Sequence, residues 1–168
     1  MRRLTAVSLG LFAAWAVHDV EELITYRETV RRIVPRLPSW VPVPEDIRRD
    51  GIRQGQVTTA IGMMSIFMGA AAVDGVRSQG RGWLFQTVLR GFGWHGIGHL
   101  AASALARSYT TGVVTTPVVV LPYWLWARRV LTRSGVPAHA GSTAPVLLMY
   151  PLFAAVHALA RRLEGRPR

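Results

Sequence analysis

Five mostly apolar stretches run along this chain, and arginine-rich segments separate them. A helix needs roughly 20 apolar residues to cross the hydrocarbon core of a bilayer, and each stretch comes close to that length. The pattern predicts an all-α fold, a polytopic membrane bundle of about five transmembrane helices, in a single domain over residues 1–168. The expected helices are Leu4–Tyr26, Gln56–Asp74, Gly82–Ala106, Gly112–Trp126 and Ala144–Ala160.

The longest connection is expected between the first two helices, at Arg27–Gly55. Prolines in this segment break helices and favour extended backbone; they are Pro35, Pro38, Pro42 and Pro44. Arginine is more frequent on the side of the bundle that holds this loop and the C-terminal tail. The positive-inside rule therefore places the N-terminus outside and the C-terminus in the cytoplasm.

Ionisable side chains interrupt the first apolar stretch near its end. His18, Glu21 and Glu22 occupy positions i, i+3 and i+4, which share one face of a helix. A charge near the centre of a membrane helix costs roughly 2.5–3.5 kcal/mol, so such residues are retained where they face the bundle interior and find partners. Asp19 points about a quarter-turn away and is not expected to join them.

The third stretch carries His95 and His99, again at positions i and i+4. Two imidazoles with this spacing can hold one metal ion. Glycines around the pair leave room for another helix or a ligand to come close; they are Gly91, Gly93, Gly96 and Gly98.

The first, third and fifth predicted helices run in the same direction across the bilayer, and each carries ionisable groups in its second half. These groups are therefore expected at one level, as a metal site formed by His18, Glu21, Glu22, His95, His99 and His157. Three alternatives remain. The two glutamates could end the first helix at the water interface, the histidine pair could serve packing alone, and the histidine of the last helix could be interfacial.

The formal net charge of +11 would suit a nucleic-acid-binding protein, but the arginines flank apolar stretches instead of forming one basic face. No nucleic-acid partner is expected; the predicted partners are membrane lipids and a hydrophobic small molecule. The absence of cysteine excludes thiolate ligands and cysteine nucleophiles. The chain carries no dinucleotide, P-loop or haem motif, so no organic cofactor is expected.

Two sequence blocks carry a family resemblance. The segment His18–Glu22 fits H-x-x-E-E, and Trp94–Thr116 fits H-x-x-G-H followed by a Tyr-Thr-x-Gly turn. Together they resemble the HXXEE-domain family of small bacterial integral membrane proteins, which is uncharacterised. The resemblance extends from the first helix through the fourth. It implies a multi-pass protein of the bacterial cytoplasmic (inner) membrane, with an active or metal-binding site. The matching positions are His18, Glu21, Glu22, His95, Gly98, His99, Tyr109 and Gly112.

Two positions depart from the family pattern. Many members have Asn where this chain has Gly91, and the turn often holds proline where this chain has Thr111. The first departure argues against a role for an amide at that position. The His and Glu set is intact.

Three functional hypotheses follow from these residues. Imidazole and carboxylate ligands suit Zn, Fe or Mn, which favours a metal-dependent enzyme acting on a lipid-like substrate. In that case Glu21 and Glu22 are the catalytic candidates, one binding the metal with the histidines and the other serving as general base. Because Arg27 follows the two glutamates, metal-free intramembrane hydrolysis of the prenyl-protease kind is a second hypothesis. The third is a proton- or metal-conducting bundle, or a structural membrane protein. The oligomeric state stays open.

Overall fold

The computed structural model describes residues 2–136 and 144–164, with the backbone alone over 144–150, and is all-helical there. The α-helices are α1 (Arg2–Ile33), α2 (Glu45–Asp50), α3 (Gln54–Arg77), α4 (Trp83–Ala106), α5 (Leu121–Arg133) and α6 (Ala144–Leu163). A 3₁₀ turn covers Val34–Arg36 and a π-helix covers Thr116–Val120. The all-α part of the expected fold is thereby confirmed. The two ends of the expected domain, residues 1 and 168, lie outside the described residues.

The helix α1 is the axis of the bundle. It packs against α3, α4, α5 and the π-helix, while α6 packs on α3 and α4. Phe12 lies beside Gly69, and the Gln54 amide donates to the Leu23 carbonyl at 2.8 Å, so α3 runs antiparallel to α1. A tight turn at residues 78–82 then reverses the chain into α4, which consequently runs parallel to α1.

The apolar core fills the half of the bundle nearest the start of α1. Burial of such side chains contributes about 25 cal/mol for each Å² of apolar surface removed from water. The core includes Val7, Leu11, Trp15, Met64, Met68, Phe85, Val88, Phe92, Val120 and Leu131. His18 lies one turn beyond Trp15, so the ionisable residues begin where the core ends.

Two glycines of α4 allow the next elements to approach closely. A Cβ at Gly93 would overlap the Trp124 indole, and a Cβ at Gly96 would lie 2.8 Å from Val120. The π-helix and the start of α5 therefore rest directly on the α4 backbone, as the glycine pattern predicts. A Cβ at Gly98 would meet nothing within 4 Å.

The helix α1 is longer than expected and continues seven residues into the segment that was assigned to a loop. No proline occurs before Pro35, and Glu28 and Arg31 form a helical i, i+3 ion pair at 4.0 Å. The helical propensity of this charged segment is enough to continue the helix once α1 is packed. The rest of the expected loop holds the short helix α2.

The fourth expected helix, Gly112–Trp126, differs from the structure at both ends. Gly112 has a φ of +76° and lies in a turn, and the π-helix precedes α5. Pro117 lacks a backbone N–H and so disturbs the regular ladder at this point. α5 continues to Arg133, beyond the apolar residues, because its last turns carry arginines that can reach water.

Among the helical segments that the structure describes with their side chains, α3 has both the length and the hydropathy of a membrane-crossing helix. A single helix of that kind also occurs in the cores of soluble proteins, so this measure does not establish the expected polytopic bundle. The ionisable residues of α1 and α4 lower the hydropathy of both helices.

Candidate metal centre

Four side chains from α1 and α4 place their ligand atoms within 4.8 Å of one another: His18, Glu22, His95 and His99. In each helix the two residues are four positions apart, so they lie on one face. The His18 side chain is fully buried, and the side chains of His99 and Glu22 are only 12% and 13% exposed. The sequence thus predicted four residues that the structure brings together.

The spacing within the group fits a common cation. The Nε2 atoms of His95 and His99 are 2.8 Å apart, and Nε2 of His99 is 3.2 Å from Oε1 of Glu22. Ligands about 2.1 Å from a tetrahedral metal ion lie about 3.4 Å from each other. The two distances are slightly shorter than that value, and no two of the four ligand atoms lie more than 4.8 Å apart, so one ion could bind all four after side-chain rotation.

His18 is held in one orientation by a chain of two hydrogen bonds. Its Nδ1 lies 2.7 Å from the Thr115 hydroxyl oxygen, and that hydroxyl donates to Glu21 at 2.6 Å. Because the Thr115 proton is directed at Glu21, the hydroxyl oxygen accepts from Nδ1–H of His18. Nε2 is therefore unprotonated and available to a metal. This atom is buried and has no hydrogen-bond partner within the described structure.

His99 is oriented in a similar way. Its Nε2 faces Glu22 and His95, and its ring also hydrogen-bonds to the backbone of Thr111. Because Nε2 of His99 lies in the cluster, Nδ1 is the nitrogen that donates to the Thr111 carbonyl. The turn after α4 thus fixes the ring orientation of a second ligand, as outer hydrogen bonds do in known metal sites.

Gly112 closes the cluster on the side of the turn. A Cβ at this position would lie 2.7 Å from the His99 ring and 2.8 Å from the His18 ring, and the φ of +76° disfavours other residues as well. Both imidazoles therefore pack directly on the glycine backbone.

The structure does not bring Glu21 into this group, although the sequence marked it as a ligand and as a catalytic candidate. Its carboxylate accepts hydrogen bonds from the Tyr109 hydroxyl at 2.6 Å, the Val114 amide at 3.2 Å and the Thr115 amide at 2.7 Å. Together with the Thr115 hydroxyl, these donors occupy both carboxylate oxygens. Neighbouring residues of a helix point about 100° apart, so Glu21 faces the turn while Glu22 faces the cluster.

His157 is also outside the group, although it lies close to it. Its ring stacks on the Tyr26 ring with centroids 5.6 Å apart, one turn beyond Glu22 along α1. As expected from the helix directions, α6 brings His157 to the level of the cluster. The His157 side chain nevertheless contacts the Tyr26 ring and not the other imidazoles. Phe153, one turn earlier in α6, contacts His95 with ring centroids 5.4 Å apart.

Sequence reasoning missed the threonines that support the cluster. Besides Thr115, the Thr25 hydroxyl lies 2.8 Å from the Thr111 hydroxyl, and the Thr111 amide donates to the Thr29 hydroxyl at 3.0 Å. The available signal was the polar tract TTGVVTT at residues 110–116, which is unusual between two apolar helices.

Tyr109 completes the contact between the turn and α1. Besides its bond to Glu21, its carbonyl accepts from the Arg32 guanidinium at 2.9 Å. Partial burial and the hydrogen bond to Glu21 raise the pKa of the Tyr109 phenol. The phenol therefore stays protonated and remains a donor at neutral pH.

Fold and site together define an all-helical protein with a buried His/Glu cluster at the junction of two helices and a turn. The chain belongs to a family of proteins of unknown function with an HXXEE motif, which matches residues 9–127. The match runs from α1 into α5 and includes all four clustered residues. The family resemblance of the two sequence blocks is thereby confirmed. No curated protein and no solved structure matches the chain.

Proposed function

We propose that this chain is a multi-pass membrane protein that binds one divalent metal ion, Zn, Fe or Mn, and uses it as an enzyme on a lipid-like substrate. The metal is held by His18, His95 and His99, with Glu22 beside it. The observation that carries this proposal is Nε2 of His18, a buried acceptor without a hydrogen bond that lies in a group of four ligand atoms.

The metal assignment rests on the cost of leaving such an atom unpaired. A buried polar atom without a partner costs roughly 1–3 kcal/mol, so native proteins rarely keep one. His95 and His99 can share a proton across their 2.8 Å Nε2–Nε2 contact, but Nε2 of His18 has no donor within the described structure. A cation between the three imidazoles satisfies all three, and a carboxylate beside it balances part of the charge.

The membrane assignment rests on an inverted distribution of side chains. Large apolar residues face outward on several helices: Ile24 is 72% exposed, Ile66 76% and Leu105 87%. Polar side chains are instead buried between the helices; among them are Ser8, His18, Asp19, Gln56, Gln86 and Thr116. Lipid around the bundle would cover the apolar surfaces, which are unfavourable in water.

The chemistry suggested for this site is hydrolysis or another reaction at a polarised bond. A redox-inert ion activates water at neutral pH, whereas iron would bring oxygen chemistry. Glu22 and His95 line a cavity beside the cluster, which leaves one side of the ion accessible to a substrate. Glu22 is placed to accept a proton there. Glu21 cannot share this role, because donors of the turn occupy both of its oxygens.

Metal analysis of the detergent-purified full chain tests the site. About one metal ion per chain is expected in the wild type and essentially none in the double variant His95→Ala/His99→Ala. His157→Ala is the matched control, since it removes an imidazole from the same region without touching the cluster, and it should keep the metal. Equal metal content in all three proteins would contradict the proposal. An empty wild type would favour metal-free hydrolysis or a non-enzymatic role.

Cysteine labelling tests the membrane assignment. Single cysteines can be introduced directly, because the chain has no cysteine of its own that would first have to be removed. Single cysteines at Ile24, Ile66 and Val118 should resist a membrane-impermeant maleimide in open membrane vesicles and react once the chain is unfolded in detergent. A cysteine at Glu45, in the connection between α1 and α3, should react at once. Rapid labelling of the three apolar positions in vesicles would show that water, not lipid, surrounds the bundle.

A further inference from the structure

A cavity of about 240 Å³ lies beside the cluster, between α1, α3, α4 and α6. Two cluster residues, Glu22 and His95, form part of its wall. A molecule in the cavity would therefore meet the proposed metal position directly.

The cavity is elongated along α1. Its wall on this helix is formed by residues spaced four, three and four positions apart, which keeps them on one face: Trp15, Asp19, Glu22 and Tyr26. With a rise of 1.5 Å per residue they span roughly 16 Å. The antiparallel helix α3 lines the same length in reverse order, with Met68 toward the Trp15 end and Val57 toward the Tyr26 end.

The two ends of the cavity differ in polarity. The end near the core is apolar and is lined by Trp15, Met64, Met68, Val88 and Phe92. The end near the cluster carries Glu22, Tyr26, His95 and His157. A ligand with one apolar and one polar end would match both regions.

The volume limits the size of that ligand. A cavity of roughly 150 Å³ can hold benzene, and pockets for drug-sized molecules occupy about 300–1,000 Å³. A space of about 240 Å³ lies between these values. It suits one slender chain better than two acyl chains.

Asp19 refines the chemistry of the polar end. It lies one turn before Glu22 on the cavity wall and is only 7% exposed, although the sequence placed it away from the site. Each of these two carboxyl groups offers an acceptor oxygen toward the cavity, whatever its protonation state. They favour a head group that carries O–H or N–H donors.

The geometry points to a single-chain amphiphile with a hydrogen-bond-donating head as the ligand of this cavity. Its head lies at Glu22 and His95 and its chain extends toward Trp15 and Met68. This inference rests on the proposed function for the role of the metal, but the fit of the chain depends on the cavity alone.

Native mass spectrometry of the Co²⁺-treated full chain in detergent tests the inference, because bound Co²⁺ and bound ligand appear as separate mass increments. The probes are octanohydroxamate and acetohydroxamate, both added as the hydroxamic acid, which is uncharged and carries an N–H and an O–H donor; the second has the same head and no long chain. Octyl phosphate has the same chain length and a head made mainly of acceptor oxygens. The wild type should bind octanohydroxamate most tightly and octyl phosphate at least about tenfold more weakly.

The sharpest comparison uses two alanine-to-leucine changes on the same helix. Ala60 is buried on the cavity wall, whereas Ala70 is exposed on α3. Ala60→Leu fills part of the cavity, and each excluded methylene is worth roughly fourfold in affinity. Ala60→Leu should therefore weaken octanohydroxamate binding about tenfold or more, whereas Ala70→Leu should leave it unchanged. Partition of the probe into detergent micelles is the same in both protein samples, so it does not affect the ratio of their affinities.

A second variant protects the test if Ala60→Leu fails to fold. Met64→Ala enlarges the apolar end, so it should shift the preference toward decanohydroxamate. Equal octanohydroxamate binding by the Ala60→Leu and Ala70→Leu proteins, an unchanged chain preference in Met64→Ala, or tight binding of octyl phosphate would overturn the inference. Absence of the Co²⁺ increment alongside a chain-dependent ligand increment would instead contradict the metal site and leave the cavity assignment standing.

Discussion

Two neighbouring stripes of α1 meet very different surroundings. The turn-facing stripe is hydrogen-bonded to residues 109–115 along its whole length and consists of His18, Glu21, Thr25, Thr29 and Arg32. The cavity-facing stripe borders open space instead and consists of Trp15, Asp19, Glu22 and Tyr26. The turn hydrogen-bonds every residue of the first stripe and leaves Nε2 of His18 to the cluster, whereas the second stripe lines the cavity.

The boundary between the stripes passes between the two adjacent glutamates of the motif. Glu21 accepts hydrogen bonds from a turn and orients a ligand through Thr115, whereas Glu22 faces His99 and the cavity. Two side chains of the same type therefore have different roles, because adjacent residues of a helix project about 100° apart around its axis. The first holds geometry, and the second is available for binding and chemistry.

Replacing each of the two glutamates separately by glutamine gives the largest expected difference in metal affinity. Glu22→Gln removes an anionic group from the cluster and should lower metal affinity by more than about 100-fold. Glu21→Gln keeps the cluster residues and weakens only the orientation of His18, an outer effect of about 10–100-fold. Competition between the protein and a chromophoric chelator for Co²⁺ measures both constants. Equal losses, or a larger loss in Glu21→Gln, would remove the distinction between the stripes.

The sequence was sufficient to predict that His18, His95 and His99 come together, although it also included His157, which the structure leaves outside the group. The i, i+4 spacing fixes the pairs in α1 and α4 on single faces, and alternating helix directions set their common depth. The rotation of α1 about its own axis could not be read from spacing, because Glu21 and Glu22 are equally polar. That rotation depends on the turn, whose contacts join residues nearly 90 positions apart along the chain, such as Tyr109 and Glu21.

His157 on α6 shows the same limit of prediction from helical spacing. Its level in the bundle follows from helix direction, but its partner depends on side-chain packing. The Tyr26 ring stacks on the His157 ring, so His157 meets an aromatic neighbour and not the cluster residues of α1. Periodicity identifies the face of a helix, whereas contacts within that face are decided by the shapes of neighbouring side chains.

A smaller effect is expected from the glycine on which both imidazoles rest. Gly112 and Gly135 both have a positive φ, +76° and +65°, but a Cβ at Gly135 would meet nothing within 4 Å. Alanine at either position should cost about 1 kcal/mol of stability for the backbone conformation. Only Gly112→Ala pushes the His18 and His99 rings, so only this variant should also lose metal affinity, within the range of about 10–100-fold. Thermal unfolding and Co²⁺ titration separate the two effects; a similar loss of Co²⁺ affinity in both variants would show that the contact with the rings is unimportant.

The smallest effect should come from Thr115, because it binds neither metal nor ligand and acts only through His18. Thr115→Val has nearly the same shape but cannot connect His18 to Glu21, so Nδ1 loses its acceptor and the ring its fixed tautomer. Co²⁺ affinity should fall about tenfold. Thr115→Ser restores the hydroxyl and should recover most of that loss, whereas a purely steric role of the side chain would leave valine close to the wild type and serine weaker. Because both hydrogen bonds of the Thr115 hydroxyl are made to the turn-facing stripe, the octanohydroxamate preference over acetohydroxamate in metal-loaded protein should be the same in all three forms. A change in that preference would mean that the two stripes do not act separately.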